Sequence, residues 1–131
     1  PFVMPIEWID GIPMLDGGIG DSIPVQRAID KGHETNVVVL TRNIGYRKNG
    51  FLLPVPGFIY RRYPALRKAL NERAEVYNAQ LELVERLERE GRIVVIRPQH
   101  PVEVGRIEKN SSKLLSLYNE LIRINPNEYR F

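Results

Sequence analysis

The chain has no cysteine, only two histidines, two methionines and one tryptophan among 131 residues. Without cysteine there is no disulfide framework, no thiolate nucleophile, no iron–sulfur cluster and no Cys-ligated zinc. Long apolar runs are also missing. Unbroken stretches such as Val37–Leu40 and Ile93–Ile96 fall far below the roughly 20 residues a membrane-spanning helix requires. The first residues lack the basic-then-apolar order of a signal peptide, and the chain does not open with Met, so a processed product or a fragment is expected. An apolar fraction of 43% with 27% charged residues and a net charge of +3 excludes wholesale disorder and fits a globular, water-soluble chain. The length suits one domain or part of one.

One stretch lacks acid altogether. From Leu40 to Lys68 there are seven basic residues (Arg42, Arg47, Lys48, Arg61, Arg62, Arg67, Lys68) and no Asp or Glu, with Tyr46, Phe51, Phe58, Tyr60 and Tyr63 interleaved. A local positive field is expected there, although the average charge is small.

The order of elements follows from turn residues and periodicity. Asp10-Gly11 is a two-residue hairpin signal, because both positions favour positive φ. It lies between Pro5–Trp8 and Pro13–Leu15, which read as two strands. Asp16-Gly17-Gly18 then leaves the second strand. Asp21 or Ser22 is expected to cap a short helix with Pro24 in its first turn, Val25, Ala28 and Ile29 on its apolar face and Gly32 at its end. Asn36–Arg42 is a β-branched run with almost no alternation, as expected for a parallel strand covered on both faces. Asn43–Tyr63, with Pro54 and Pro56, reads as a long irregular connection. Ala65–Glu90 predicts a long amphipathic helix from Leu66, Leu70, Ala74, Tyr77, Leu81, Val84 and Leu87. Its Glu82–Arg86 and Glu85–Arg89 spacings suit i,i+4 pairs. Gly91 ends it, Arg92–Arg97 reads as another strand closed by Pro98, and a last helix from Ser111 or Ser112 should bury Leu114, Leu117, Tyr118, Leu121 and Ile122 before Pro126. Alternating strands and helices define an α/β layered sheet, and three or four strands with so few helices leave that sheet half covered.

The richest cluster of functional residue types is Leu15–Ser22 (LDGGIGDS). As plain structure it is a tight turn in which glycines relax the backbone and Asp accepts backbone N–H groups. As a phosphate cradle it lacks the full dinucleotide-binding spacing and any Walker-type Lys. Gly20-Asp21-Ser22-Ile23 looks like the nucleophile block of the GDSL hydrolases, and Asp30-Lys-Gly-His33 supplies an Asp-x-x-His. But Ser22 and His33 flank one helix, on the order of 13–16 Å apart at about 1.5 Å per residue. A base must lie roughly 3 Å from the hydroxyl it deprotonates, so that reading is rejected. His33, near a helix C-terminus, is expected at the surface, and two isolated histidines make no metal site.

The run Leu15–Asn49 (LDGGIGDSIPVQRAIDKGHETNVVVLTRNIGYRKN) closely resembles the bacterial patatin-like phospholipases. Members carry Asp-Gly-Gly or Asp-Gly-Ala after a strand, then a Pro-containing helix, an apolar strand ending Leu-Thr-Arg, and a Gly-Tyr-Arg-Lys segment. The pieces RRYPALRKAL, RAEVYNAQLELVERLE, VVIRP and VGRIEKNSSKLLSLY are similar to an extension found in one bacterial branch. The likeness runs to about Tyr118, and Asn119–Phe131 has no counterpart. It implies the C-terminal part of a three-layer α/β/α domain over residues 1–50 and a helix–strand–helix extension over 51–131. It also implies a Ser–Asp dyad acting on lipid esters, with Asp16 of the Asp16-Gly17-Gly18 motif as base partner. Ser22, Ser111, Ser112 and Ser116 all lack a glycine on both sides. The nucleophile elbow and the glycine-rich oxyanion loop would therefore precede this chain, which alone should be inactive.

No cofactor, metal or nucleic-acid partner is expected. The expected partners are a lipid ester or phospholipid substrate and an anionic membrane surface, met through Arg47, Lys48, Phe51, Leu52 and Phe58. The expected location is cytoplasmic, peripheral at the inner membrane. A non-catalytic lipid- or protein-binding α/β module is the alternative.

Overall fold

The first strands obey the turn that joins them. A computed structural model describes residues 6–50, 56, 58, 60–102 and 109–122. In it β1 (Glu7–Ile9) and β2 (Ile12–Met14) form an antiparallel hairpin with Ile9 opposite Ile12 and Glu7 opposite Met14. Asp10 and Gly11 have φ of 50° and 75°, the two positive values that match the twist of such a ribbon. A 3-10 turn at Gly17–Ile19 follows, then α1 (Val25–Asp30), β3 (Asn36–Val39), the long α2 (Pro64–Arg89), β4 (Ile93–Ile96) and α3 (Ser111–Ile122). β3 and β4 pair in parallel, Asn36 against Ile93 and Val39 against Ile96, and α2 is the crossover between them.

Both connecting helices end by the same device. Past α1, Gly32 at φ 86° donates to the Ile29 carbonyl at 2.8 Å and His33 N–H to Ala28 O at 3.1 Å. Past α2, Gly91 at φ 68° donates to Glu88 O at 3.0 Å and Arg92 N–H to Leu87 O at 2.9 Å. These paired bonds satisfy the last helical carbonyls and need a left-handed residue where each Gly stands. At its start α2 has Pro64 in the first helical position, where a missing N–H costs nothing.

The core forms where α2 lies on the parallel pair. Leu81, Val84 and Leu87 of α2 pack with Ile93 and Val95 of β4, Leu40 beyond β3, and Ile23 and Val25 before and in α1. A smaller cluster joins Ile19 of the 3-10 turn to Leu70 of α2. The result is a mixture of helices and small sheets, an α/β arrangement in the broad sense.

Several expectations need correction. The strands do not form one sheet: the hairpin and the β3–β4 pair are separate two-stranded sheets. β3 is not covered on both faces, because Val37 and Val39 are 47% and 70% exposed. Neither Asp21 nor Ser22 caps α1. Pro24 occupies the cap position without a side-chain bond, since the Asp21 carboxylate is drawn to Gln80 of α2 and the Ser22 hydroxyl to the Gly18 carbonyl. Along α3, Leu114, Leu115 and Tyr118 are exposed: an apolar stripe fixes which face could be buried, not whether anything lies on it. Leu121, Ile122 and Pro126 lie outside the residues whose side chains are described. Glu85 pairs not with Arg89 but with Arg47, 38 residues away, because a two-bond planar contact outcompetes a flexible helix-surface pair.

Candidate functional site: the Asp16 loop on the flank of α2

The hairpin delivers the chain to Asp16, whose side chain closes the turn it begins. Asp16 Oδ1 accepts the Gly18 N–H at 2.9 Å and so caps the 3-10 turn. Asp16 is exposed, and Oδ2 accepts no hydrogen bond from the described residues. One carboxylate oxygen is thus fixed by the backbone, and the other is left as an acceptor on an exposed residue.

The two glycines of the motif are not equivalent. A side chain at Gly17 would meet nothing within 4 Å, whereas a Cβ at Gly18 would stand 3.2 Å from Asp16 Oδ1 and 3.8 Å from Arg73 Nη2. Space at residue 18 is what lets the carboxylate fold back onto the backbone.

Polar groups of α2 complete the site. Arg73 Nε donates to Gly18 O at 3.1 Å, and the Ser22 hydroxyl donates to the same oxygen at 2.6 Å. Two turns further on, Gln80 Nε2 donates to Asp21 Oδ1 at 2.7 Å and Gln80 Oε1 accepts the Ile23 N–H at 3.1 Å. Arg73 and Gln80 were not legible as site residues beforehand. The available signal was that each is a polar residue standing on the inward stripe marked by Leu70, Tyr77, Leu81 and Val84.

The loop also sits at the end of the sheet suited to ligands. As the crossover between parallel strands, α2 runs back from the carboxyl end of β3 to the amino end of β4. Arg73 is 16 residues before Arg89, about 24 Å along the helix at 1.5 Å per residue. The Asp16 loop therefore lies toward the carboxyl ends of the strands, where open α/β sheets bind ligands. A cavity of about 740 Å³ lies at the opposite end, between the turns at Gly32 and Gly91 and the first residues of β3 and β4.

The expected catalytic rivals are not brought together. Ser22 is committed to Gly18 O, and His33 and His100 are exposed. No group of three His, Asp or Glu able to hold a metal occurs among the described residues.

The first three cations of the basic segment are used in docking. Arg47 makes two bonds to Glu85, at 3.0 and 2.9 Å. The guanidinium holds the Glu85 carboxyl below its ordinary value, chiefly through those bonds, and the carboxylate raises Arg47 in turn. Lys48 lies 5.0 Å over the Tyr77 ring, while its backbone N–H and C=O are both matched by the Asn78 amide at 2.8 and 3.0 Å. Tyr46 meets Tyr77 edge-on at 6.3 Å and carries Arg42 over its ring at 5.1 Å. Burial pushes the Tyr77 phenol up. Of the expected membrane contacts, Arg47 and Lys48 are therefore held on α2. Phe58 is 79% exposed, and Phe51 and Leu52 lie outside the described residues.

Residues 63–124 match a domain of unknown function (DUF6363). No curated protein and no solved structure matches the chain. The matched segment contains α2, β4 and α3, and so includes Arg73 and Gln80 but not Asp16.

Proposed function

We propose that this chain is the C-terminal part of a patatin-like serine acyl hydrolase of lipid esters. In this reading residues 1–50 close a three-layer α/β/α domain, 51–131 form its extension, and the nucleophile Ser comes from residues before Pro1. The observation that carries it is the exposed Asp16 carboxylate, fixed through Oδ1 with Oδ2 open, on a loop toward the carboxyl end of the strands. A serine hydroxyl within about 3 Å of Oδ2 would pass its proton to the carboxylate as Oγ attacks the acyl carbonyl. Asp16 then returns that proton to the leaving alcohol. Water, deprotonated by the same carboxylate, then attacks the acyl-enzyme, and Asp16 passes that proton to the departing Ser Oγ, which releases the free acid and restores the hydroxyl. The oxyanion would be held by the glycine-rich loop that the resemblance implies.

The test is Asp16→Asn in the complete protein, assayed on a p-nitrophenyl ester. The expected loss is about 10²–10⁴-fold in rate with folding retained. A folded variant at the wild-type rate overturns the assignment and favours the non-catalytic module, for which the exposed apolar Trp8, Ile9, Val37 and Val39 would be contact surface.

The reading extends to peripheral contact with anionic lipid through exposed Phe58, Arg61 and Arg62, while Arg47 and Lys48 stay on α2. No helix among the described residues is long and apolar enough to cross a membrane. Co-sedimentation with anionic vesicles should exceed that with neutral ones and fall as the screening length shrinks from about 10 Å at 0.1 M salt to about 3 Å at 1 M. Equal binding to both vesicle types removes the contact.

A further inference from the structure

We propose that Arg73 and Gln80 are positioning residues that set the pose of the Asp16 loop, so that a helix of the matched domain of unknown function holds the motif lying outside it. They are seven residues apart, close to two full helical turns, and share one face at about 10.5 Å separation along the axis. Each reaches a segment more than fifty residues away in sequence.

Their bonds are arranged to fix a pose and not merely to join two surfaces. Residue 18 is held from both sides: its N–H orients the Asp16 carboxylate, and its carbonyl is gripped by Arg73 and Ser22. Moving Gly18 O away from Arg73 therefore moves the donor that aims Asp16. Gln80 uses both amide atoms, donating to Asp21 and accepting from Ile23, so its amide fits in only one orientation. Leu70 already supplies apolar contact to the same turn through Ile19. An apolar residue at position 73 would bury as much surface and fix nothing. Charged and amide groups on an inward stripe carry a desolvation cost, which direction-specific bonds to a loop offset.

For its catalytic readout the proposal rests on the acyl-hydrolase reading; for its structural readout it does not. The experiment uses the complete protein with Arg73→Lys and Gln80→Glu. Lysine keeps the charge but not the planar Nε donor, and the carboxylate of the second variant opposes Asp21. Hydrogen exchange of the backbone over residues 15–24 should accelerate about tenfold in each, the loss of one charge-assisted or amide bond, while residues 93–96 stay at the wild-type rate and report an intact core. On the ester substrate kcat should fall by up to about 10²-fold, the effect of misplacing a reacting group by about 1 Å, with KM unchanged.

Unchanged exchange over 15–24 in both variants overturns the clamp, whatever the activity. Faster exchange with an unchanged kcat, in a protein that Asp16→Asn inactivates, overturns the positioning role. Faster exchange in a protein whose Asp16→Asn variant keeps full activity supports the clamp and removes the hydrolase reading instead.

Discussion

The β3–β4 pair has two faces built from the same residue types, and along β3 only one is covered. Val38, Leu40, Ile93 and Val95 turn toward α2 and the main core. Val37 and Val39, one residue out of phase, remain 47% and 70% exposed. The β-branched runs NVVV and IVVI suit burial on both faces equally well. What differs is whether an element lies opposite, and the described residues supply one on a single side. An apolar strand thus records the environment it is fitted for, while its actual cover is decided by elements elsewhere. Under the proposed three-layer reading, the bare face is where a further layer would lie.

Core truncations break this comparison most sharply. Leu87→Ala, at 2% exposure in the covered face, should cost about 2–5 kcal/mol in urea unfolding of the complete protein. Val39→Ala should cost no more than about 0.5 kcal/mol if its face stays open. If a further layer covers it, the loss of two buried carbons brings the cost to about 1.5 kcal/mol. The three-layer proposal expects the second result, and the first would remove it.

The same contrast explains how far the sequence could be read. Hairpin, helix ends and crossover helix were legible because their causes are local: Asp10-Gly11 for the turn, Gly32 and Gly91 for the stops, and the stripe from Leu66 to Leu87 for α2. The expected two-sided cover of β3 and the burial of Leu114 and Tyr118 on α3 failed because each depends on a partner that periodicity does not name. In the site, Asp16-Gly17-Gly18 stood out by composition. Arg73 and Gln80 did not, because on a helix rich in charged and polar residues only their contacts with residues 18, 21 and 23 distinguish them. The basic run from Leu40 to Lys68 was visible as charge, but Arg42, Arg47 and Lys48 are used on Tyr46, Glu85 and Tyr77. Their partners could not be read from the run itself.

The smallest effect concerns the edge of the covered side, where the chain after β3 is fastened to α2 by Arg47 and Glu85. The guanidinium holds the Glu85 carboxyl below its ordinary value, chiefly through the two hydrogen bonds, with desolvation opposing and further cations adding to the attraction. A carboxyl depressed in the folded state contributes stability that is fully present above its unfolded value, about 4.3. That contribution is lost as pH falls through the lower folded value. The pair is partly exposed, with side-chain accessibilities of 39% and 24%, so screening limits it to about 0.2–1 kcal/mol. Glu85→Gln should therefore lower the melting temperature at pH 7 by about 1–4 °C. The gap should begin to close below about pH 4 and vanish once wild-type Glu85 is protonated. Added salt should narrow it at pH 7 as well. A gap that persists undiminished at pH 2 would mean that Glu85 acts through packing, and that the segment after β3 is seated on α2 by Tyr46, Tyr77 and the Asn78 amide alone.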